Sequence, residues 1–280
     1  VWITGRKEKK LISKFNLVAG IMSSSSGAYE SAIHYLKIGM KLVEDFGWQN
    51  SYKLNLELFN KAAESAYLSG DYDSMEKWVN KLIEQTVTIP DKIQAYEIKI
   101  LSLISREKLG EAVETGLKIL KQLGVVLPTK LSRFKLKNET RKIKFKLRGK
   151  TASLFLGLPE MEDEKMLAAM RMMALLTTPI QIIRPELTPF MIYRQIDIML
   201  KEGISSYSPG ALIGYGIFLT IYQKDPVKGF AYGKVGLELL RRFDSQEYLA
   251  SNYSLFYGVL WPFKKPLKDV FEPLKEAFRT

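Results

Sequence analysis

Apolar residues recur at three- and four-residue spacing almost throughout the chain, and strand-like alternation is scarce. Turn signals break the pattern every 15–25 residues. They fall at Gly27, FGWQNS (46–51), SGDY (69–72), TIPD (88–91), KLG (108–110) and LPTK (127–130). Further on come LPEMED (158–163), RPELTP (184–189), EGISSYSPG (202–210), KDP (224–226) and FDSQ (243–246). Helices of that length joined by short turns predict antiparallel hairpins stacked side by side.

The pattern repeats itself. Four segments that follow a turn align: 27–42, 70–85, 107–122 and 224–239. Each places small or apolar residues at 0, +4 and +7: Ala32/Leu36/Gly39, Met75/Val79/Leu82, Ala112/Gly116/Ile119 and Gly229/Gly233/Gly236. That spacing puts the three on one helical face, where small side chains let a neighbouring helix come close. AAESAYLSGDYDSMEKW (62–78) resembles a tetratricopeptide repeat through Ala62, Ala66, Gly70 and Tyr72, with Met75 in place of the usual Ala. Gly27 and Tyr29 keep the pattern in the first copy, whereas the third has Glu107 and Leu109. The expected fold is all-α, a tetratricopeptide-like α-solenoid of stacked antiparallel hairpins. No hairpin of this kind buries its apolar face alone, so stacking makes the core. The array spans 1–280, with regular repeats over 1–128, a basic helix and connector over 129–160, and divergent hairpins over 161–280.

A more specific resemblance rests on GDYDSME (70–76), DKIQAYEIKI (91–100), EAVETGLKILKQLGVVLP (111–128) and GLPEMEDEKMLAAMRMM (157–173). Trp261 and LKDVFEPLKEAF (267–278) add to it. These segments are similar to the helical-repeat region of very large bacterial signalling proteins. In those, a Ser/Thr-kinase-like domain and a STAND-type P-loop ATPase precede the repeats, and a GAF sensor with a histidine kinase often follows. The resemblance spans nearly the whole chain and is best from 60 to 175. It implies a module that binds a partner or holds flanking domains in an off state, and it carries over no catalytic residue.

Composition narrows the function classes. Hydrophobic content of 46% and charged content of 26% belong to a folded chain. With no Cys there is no disulfide, thiolate metal site or cysteine nucleophile. No signal peptide is visible, and 166–183 and 210–222 are apolar but do not read as transmembrane, the first carrying Arg171 and Pro179 and the second being too short. A cytoplasmic location follows from this reading. The expected C-terminal stripe of Leu267, Val270, Phe271, Leu274 and Phe278 has nothing after it to cover it, and the chain starts on Val. Both features read as a piece excised from a longer array.

Catalytic signals are weak. RGKT (148–151) ends like a phosphate-binding loop, but that loop needs Gly where Lys144 stands. His34 is the only histidine and has no ligand or nucleophile at a useful spacing. DYD (71–73) and EMEDE (160–164) sit where helices start, so they read as caps. The reading is therefore of a non-enzyme with no cofactor and no metal.

The remaining candidate is charge. Residues 130–150 hold ten Lys and Arg against Glu139, a local +9 in a chain of +12. Leu136, Thr140, Ile143 and Leu147 trace a packing stripe opposite, so the stretch reads as a helix with a basic outer face facing solvent or a protein. Lys135, Arg141, Lys142, Lys144, Lys146 and Arg148 are its candidate contacts. The rival class is a transcription-regulator segment holding nucleic acid through 130–150 by counterion release. A membrane-surface helix is disfavoured because the apolar stripe is already used in packing. A second candidate contact surface, a peptide groove, is placed at Asn60, Lys61, Tyr67, Tyr96 and Lys99.

Overall fold

The computed structural model describes residues 5–128 and 132–279, without the side chains of Gln246 and Phe278. Lys130 and the Phe278 side chain, both named above, lie outside that description. The fold is all-α, and no strand occurs among the described residues. Contacts divide the chain into two units, 1–116 and 117–280.

Unit 1 contains α1 (Arg6–Ser25), α2 (Tyr29–Val43), α3 (Tyr52–Ser69), α4 (Tyr72–Gln85), α5 (Ile89–Ser105) and the start of α6 (Leu109–Gln122). From α1 to α5 each helix packs on the next, and α1, α3 and α5 also touch in succession. Leu36, Leu58, Ala62, Ala66, Met75 and Leu82 fill the core.

The aligned segments share a backbone corner. Gly70 ends α3 in the left-handed region at φ +79°, and the next residue, Asp71, caps α4 by accepting from the Ser74 N–H at 3.1 Å. The Asp71 N–H closes the corner on Ala66 O at 2.9 Å. Gly27 repeats this geometry, with Ala28 N–H on Ser23 O at 2.9 Å. So does Glu107 at φ +59°, with Lys108 N–H on Leu103 O at 2.8 Å. Lys224 (φ +56°) precedes Asp225, which caps the next helix and closes one residue further back, on Leu219 O at 3.0 Å. All four left-handed residues lie five before the first small or apolar position of the aligned face, and all twelve of those positions are buried.

Unit 2 contains α7 (Arg133–Lys146), α8 (Glu164–Ile183), α9 (Thr188–Glu202), α10 (Ser208–Tyr222), α11 (Pro226–Arg242), α12 (Leu249–Leu255) and α13 (Phe271–Arg279). Its tightest feature is the α10–α11 hairpin. A Cβ on Gly229 would stand 2.0 Å from Thr220 Oγ1 and 2.5 Å from Gly216 O, and one on Gly216 would stand 2.4 Å from Gly229 O. The two backbones touch because neither helix has a side chain there. Beside this seam lies a tyrosine core: Tyr215 and Tyr232 meet edge to face at 4.8 Å, and Tyr193 lies 6.4 Å from Tyr215. Burial pushes the Tyr232 hydroxyl up to about 12.

One apolar helix and one sequence expectation need comment. By length and composition α8 is apolar enough to cross a bilayer. In this fold it packs on α9 and buries Ala169, Met170, Met172, Met173 and Leu176. The C-terminal stripe has a different phase: Leu267 and Phe271 are 63% and 64% exposed, while Val270 and Ala277 turn inward. Residues 267–270 form a 3₁₀ turn, whose three residues per turn shift the faces away from a continuous 3.6 periodicity.

The seam gives a direct test. Gly229→Ala should lower stability by about 2 kcal/mol through overpacking, read by chemical denaturation followed by circular dichroism. Gly110→Ala, where a Cβ meets nothing within 4 Å, should leave stability unchanged or raise it.

Candidate functional site

The basic stretch forms α7, started by Ser132, whose hydroxyl accepts from the Lys135 N–H at 3.2 Å. Its inner stripe is the expected one. Ile143 and Leu147 are buried, Leu136 and Thr140 half-buried, and the Thr140 and Tyr193 hydroxyls meet at 2.9 Å. Two carboxylates tie α7 to α9. Asp197 binds Lys146 and, at 3.2 Å, Lys201; Glu139 holds Lys142 at 2.8 Å and Arg194 at 3.7 Å. Burial would raise the Asp197 carboxyl, but the hydrogen bonds and charge of Lys146 and Lys201 hold it below the usual aspartate range.

The six candidate cations therefore divide. All are exposed. Lys142 and Lys146 serve the α7–α9 contact, and Lys135 lies in the first turn of α7. The charge of Lys144 helps depress Asp225, after the bonds and charge of Lys228. Arg141 and Arg148 make no ion pair among the described residues and remain available. Phe134 and Phe145 stand 74% and 75% exposed on the helix surface near them. Those two phenylalanines, not only the cations, define the outer face.

The groove expected in unit 1 does not form as drawn. Asn60 is buried, only 5% exposed, because α3 is packed by α1, α2, α4 and α5 together. Lys61 pairs with Glu64 at 2.7 Å and Tyr67 packs on the core. Tyr96 is half-buried, its hydroxyl raised by desolvation, and Lys99 is half-buried too. A cavity that unit 1 does carry is lined by other residues.

Unit 2 holds a cavity of about 590 Å³ that the sequence reading missed. Its lining comes in turn from α8 (Thr177, Thr178, Gln181), α10 (Gly210, Gly214, Tyr222) and α12 (Ser251, Asn252), with α9 behind. None of its lining residues is charged. Tyr207 and Tyr248 stack edge to face at 5.7 Å, and Phe218 and Tyr222 stack at 5.2 Å. The buried Asn252 Oδ1 and Thr188 Oγ1 make no hydrogen bond. Of the four tyrosines between residues 207 and 232, Tyr215 and Tyr232 are core, while Tyr207 and Tyr222 line this cavity. The available signal was the polar Thr177, Thr178 and Gln181 set into the otherwise apolar stretch 172–183.

His34 is exposed on α2 beside Tyr35. Asp71 and Asp163 are N-caps, as their positions before helices suggested. Among the described residues no group of three or more His, Asp and Glu could hold a metal ion.

No family model matches the chain, and no solved structure matches it. Over 306 aligned residues it is 20% identical to hybrid signal transduction histidine kinase G of Dictyostelium discoideum. The alignment covers 99% of this chain and 9% of that protein, so the chain spans a small part of that relative's length.

Asp197 sets a pH dependence. Its folded pKa is depressed, so its contribution is present above the unfolded aspartate value and is lost as pH falls through the folded one. Acidification through that window should speed hydrogen exchange across α7, and Asp197→Asn should give the fast exchange already at neutral pH.

Proposed function

We propose that the chain is a tetratricopeptide-like α-solenoid acting as a non-catalytic interaction and regulatory segment of a larger cytoplasmic signalling protein. The observation that carries this is the uncharged cavity lined successively by α8, α10 and α12. Helix after helix contributes to one surface, which is how a solenoid builds an extended binding face. The hydroxyl and amide groups of Thr177, Thr178, Gln181 and Ser251 along the lining suit the backbone groups of a docked segment. The recurrent left-handed corners support the solenoid reading. Similarity to a hybrid histidine kinase supports a signalling context, and the bacterial ATPase-and-kinase proteins named above are the architecture it fits. The partner is a flanking domain of the same protein or a signalling protein.

On this reading the purified chain neither hydrolyses ATP nor transfers phosphate. In a protein carrying it beside a kinase domain, Thr178→Arg with Tyr222→Asp should change autophosphorylation about fivefold or more, since coupling of 1–3 kcal/mol is typical. Unchanged output in the folded variant, or phosphotransfer by the chain alone, would overturn the proposal.

A second reading has its own observation. Phe134 and Phe145 beside Arg141 and Arg148 provide stacking platforms and cations, the combination that binds single-stranded nucleic acid. A gel shift at low salt that is abolished by Arg141→Glu with Arg148→Glu would support it, and no shift would end it.

A further inference from the structure

Unit 1 carries a cavity of about 590 Å³ where α2 and α4 flank α3. α2 contributes Lys37 and Lys41, and α4 contributes Lys77 and Lys81. Phe59 of α3, Trp78 of α4 and Trp48 from the turn after α2 supply the apolar surface, with Trp48 and Phe59 4.9 Å apart. All four lysines are exposed, and none makes an ion pair among the described residues. Lys37 instead lies over the Trp78 ring at 5.5 Å and helps depress Asp71, a smaller influence than the bonds from Ser74. Glu44 is the one carboxylate in the lining.

Lysine stems covering an aromatic surface would be an ordinary way to shield it. The Trp48 indole is what that account leaves over. Its Nε1–H is buried and has no acceptor, and an unmet buried donor costs about 1–3 kcal/mol. Four exposed ammonium groups around an aromatic floor ask for the same thing, a ligand that is negative and carries an apolar group. Lysines on each wall are four residues apart, roughly 6 Å along each helix. Charge distributed in this way, with no arginine fork, matches carboxylates along a segment better than one compact phosphate.

We propose that this groove binds an acidic protein segment, with carboxylates on the four lysines and a large apolar side chain on the Trp48–Phe59–Trp78 surface. It is a separate site from the uncharged cavity of unit 2, so the failure of either reading leaves the other standing.

The test is tryptophan fluorescence of the full chain, titrated with a short synthetic peptide holding one Phe between runs of Glu. Saturable binding is expected, weakened by salt and reduced about tenfold or more in Lys41→Glu with Lys81→Glu. Trp48→Ala, which removes part of the aromatic floor, should weaken it several-fold. Because the lysines are exposed, Lys41→Gln with Lys81→Gln provides a charge-neutral variant whose fold circular dichroism can verify. A peptide with Ser in place of Phe should bind more weakly. No saturable binding at low salt overturns the proposal. So does equal binding by both peptides, by the charge-reversed variant, or by pyrophosphate in place of the peptide; the last outcome reassigns the groove to small anions.

Discussion

Where α10 meets α11 there is nothing between the two backbones. Gly216 and Gly229 leave each helix bare at the crossing, and a single added carbon would fall inside the van der Waals radius of the opposite chain. This contact fixes how deep the hairpin sits, and its neighbours depend on that depth. On one side the seam holds Tyr215 against Tyr232. On the other, Gly210 and Gly214 of the same helix leave room for the uncharged cavity. One helix with little side-chain bulk thus serves both core and surface, and its very apolar sequence gives no hint of which face is which.

The two cavities differ in their chemistry. In unit 2 the lining is aliphatic and aromatic with hydroxyl and amide groups among them, and carries no charge. In unit 1 it is lysine over indole and phenyl. The charge of the chain is therefore not a uniform coat. Part of it is consumed in the α7–α9 contact, where Glu139 and Asp197 each gather two cations. Part is left on the outer face of α7 and around the α2–α4 groove.

Helices, corners and caps were legible in the sequence because they depend on neighbours three to five residues away. Asp71, Asp163 and Ser132 cap as local chemistry dictates, and Leu136, Thr140, Ile143 and Leu147 face inward as their spacing requires. What failed depends on distant chain. Asn60 looks like a surface amide until four helices surround its own. Neither cavity could be read from spacing, since Thr178 and Ser251, or Lys41 and Lys81, are brought together only by packing. Exposed Phe134 and Phe145 were similarly indistinguishable from core aromatics.

The left-handed corner has a further meaning. Two of the four residues that adopt it, Glu107 and Lys224, are types that pay a steric penalty there, yet the chain turns identically to Gly27 and Gly70 or within one residue of it. Shape at these joints is imposed by the helices on either side and not by the residue in the bend. Such an architecture can drift far in spelling while its hairpins stay in step, leaving the backbone as the more durable record of its ancestry.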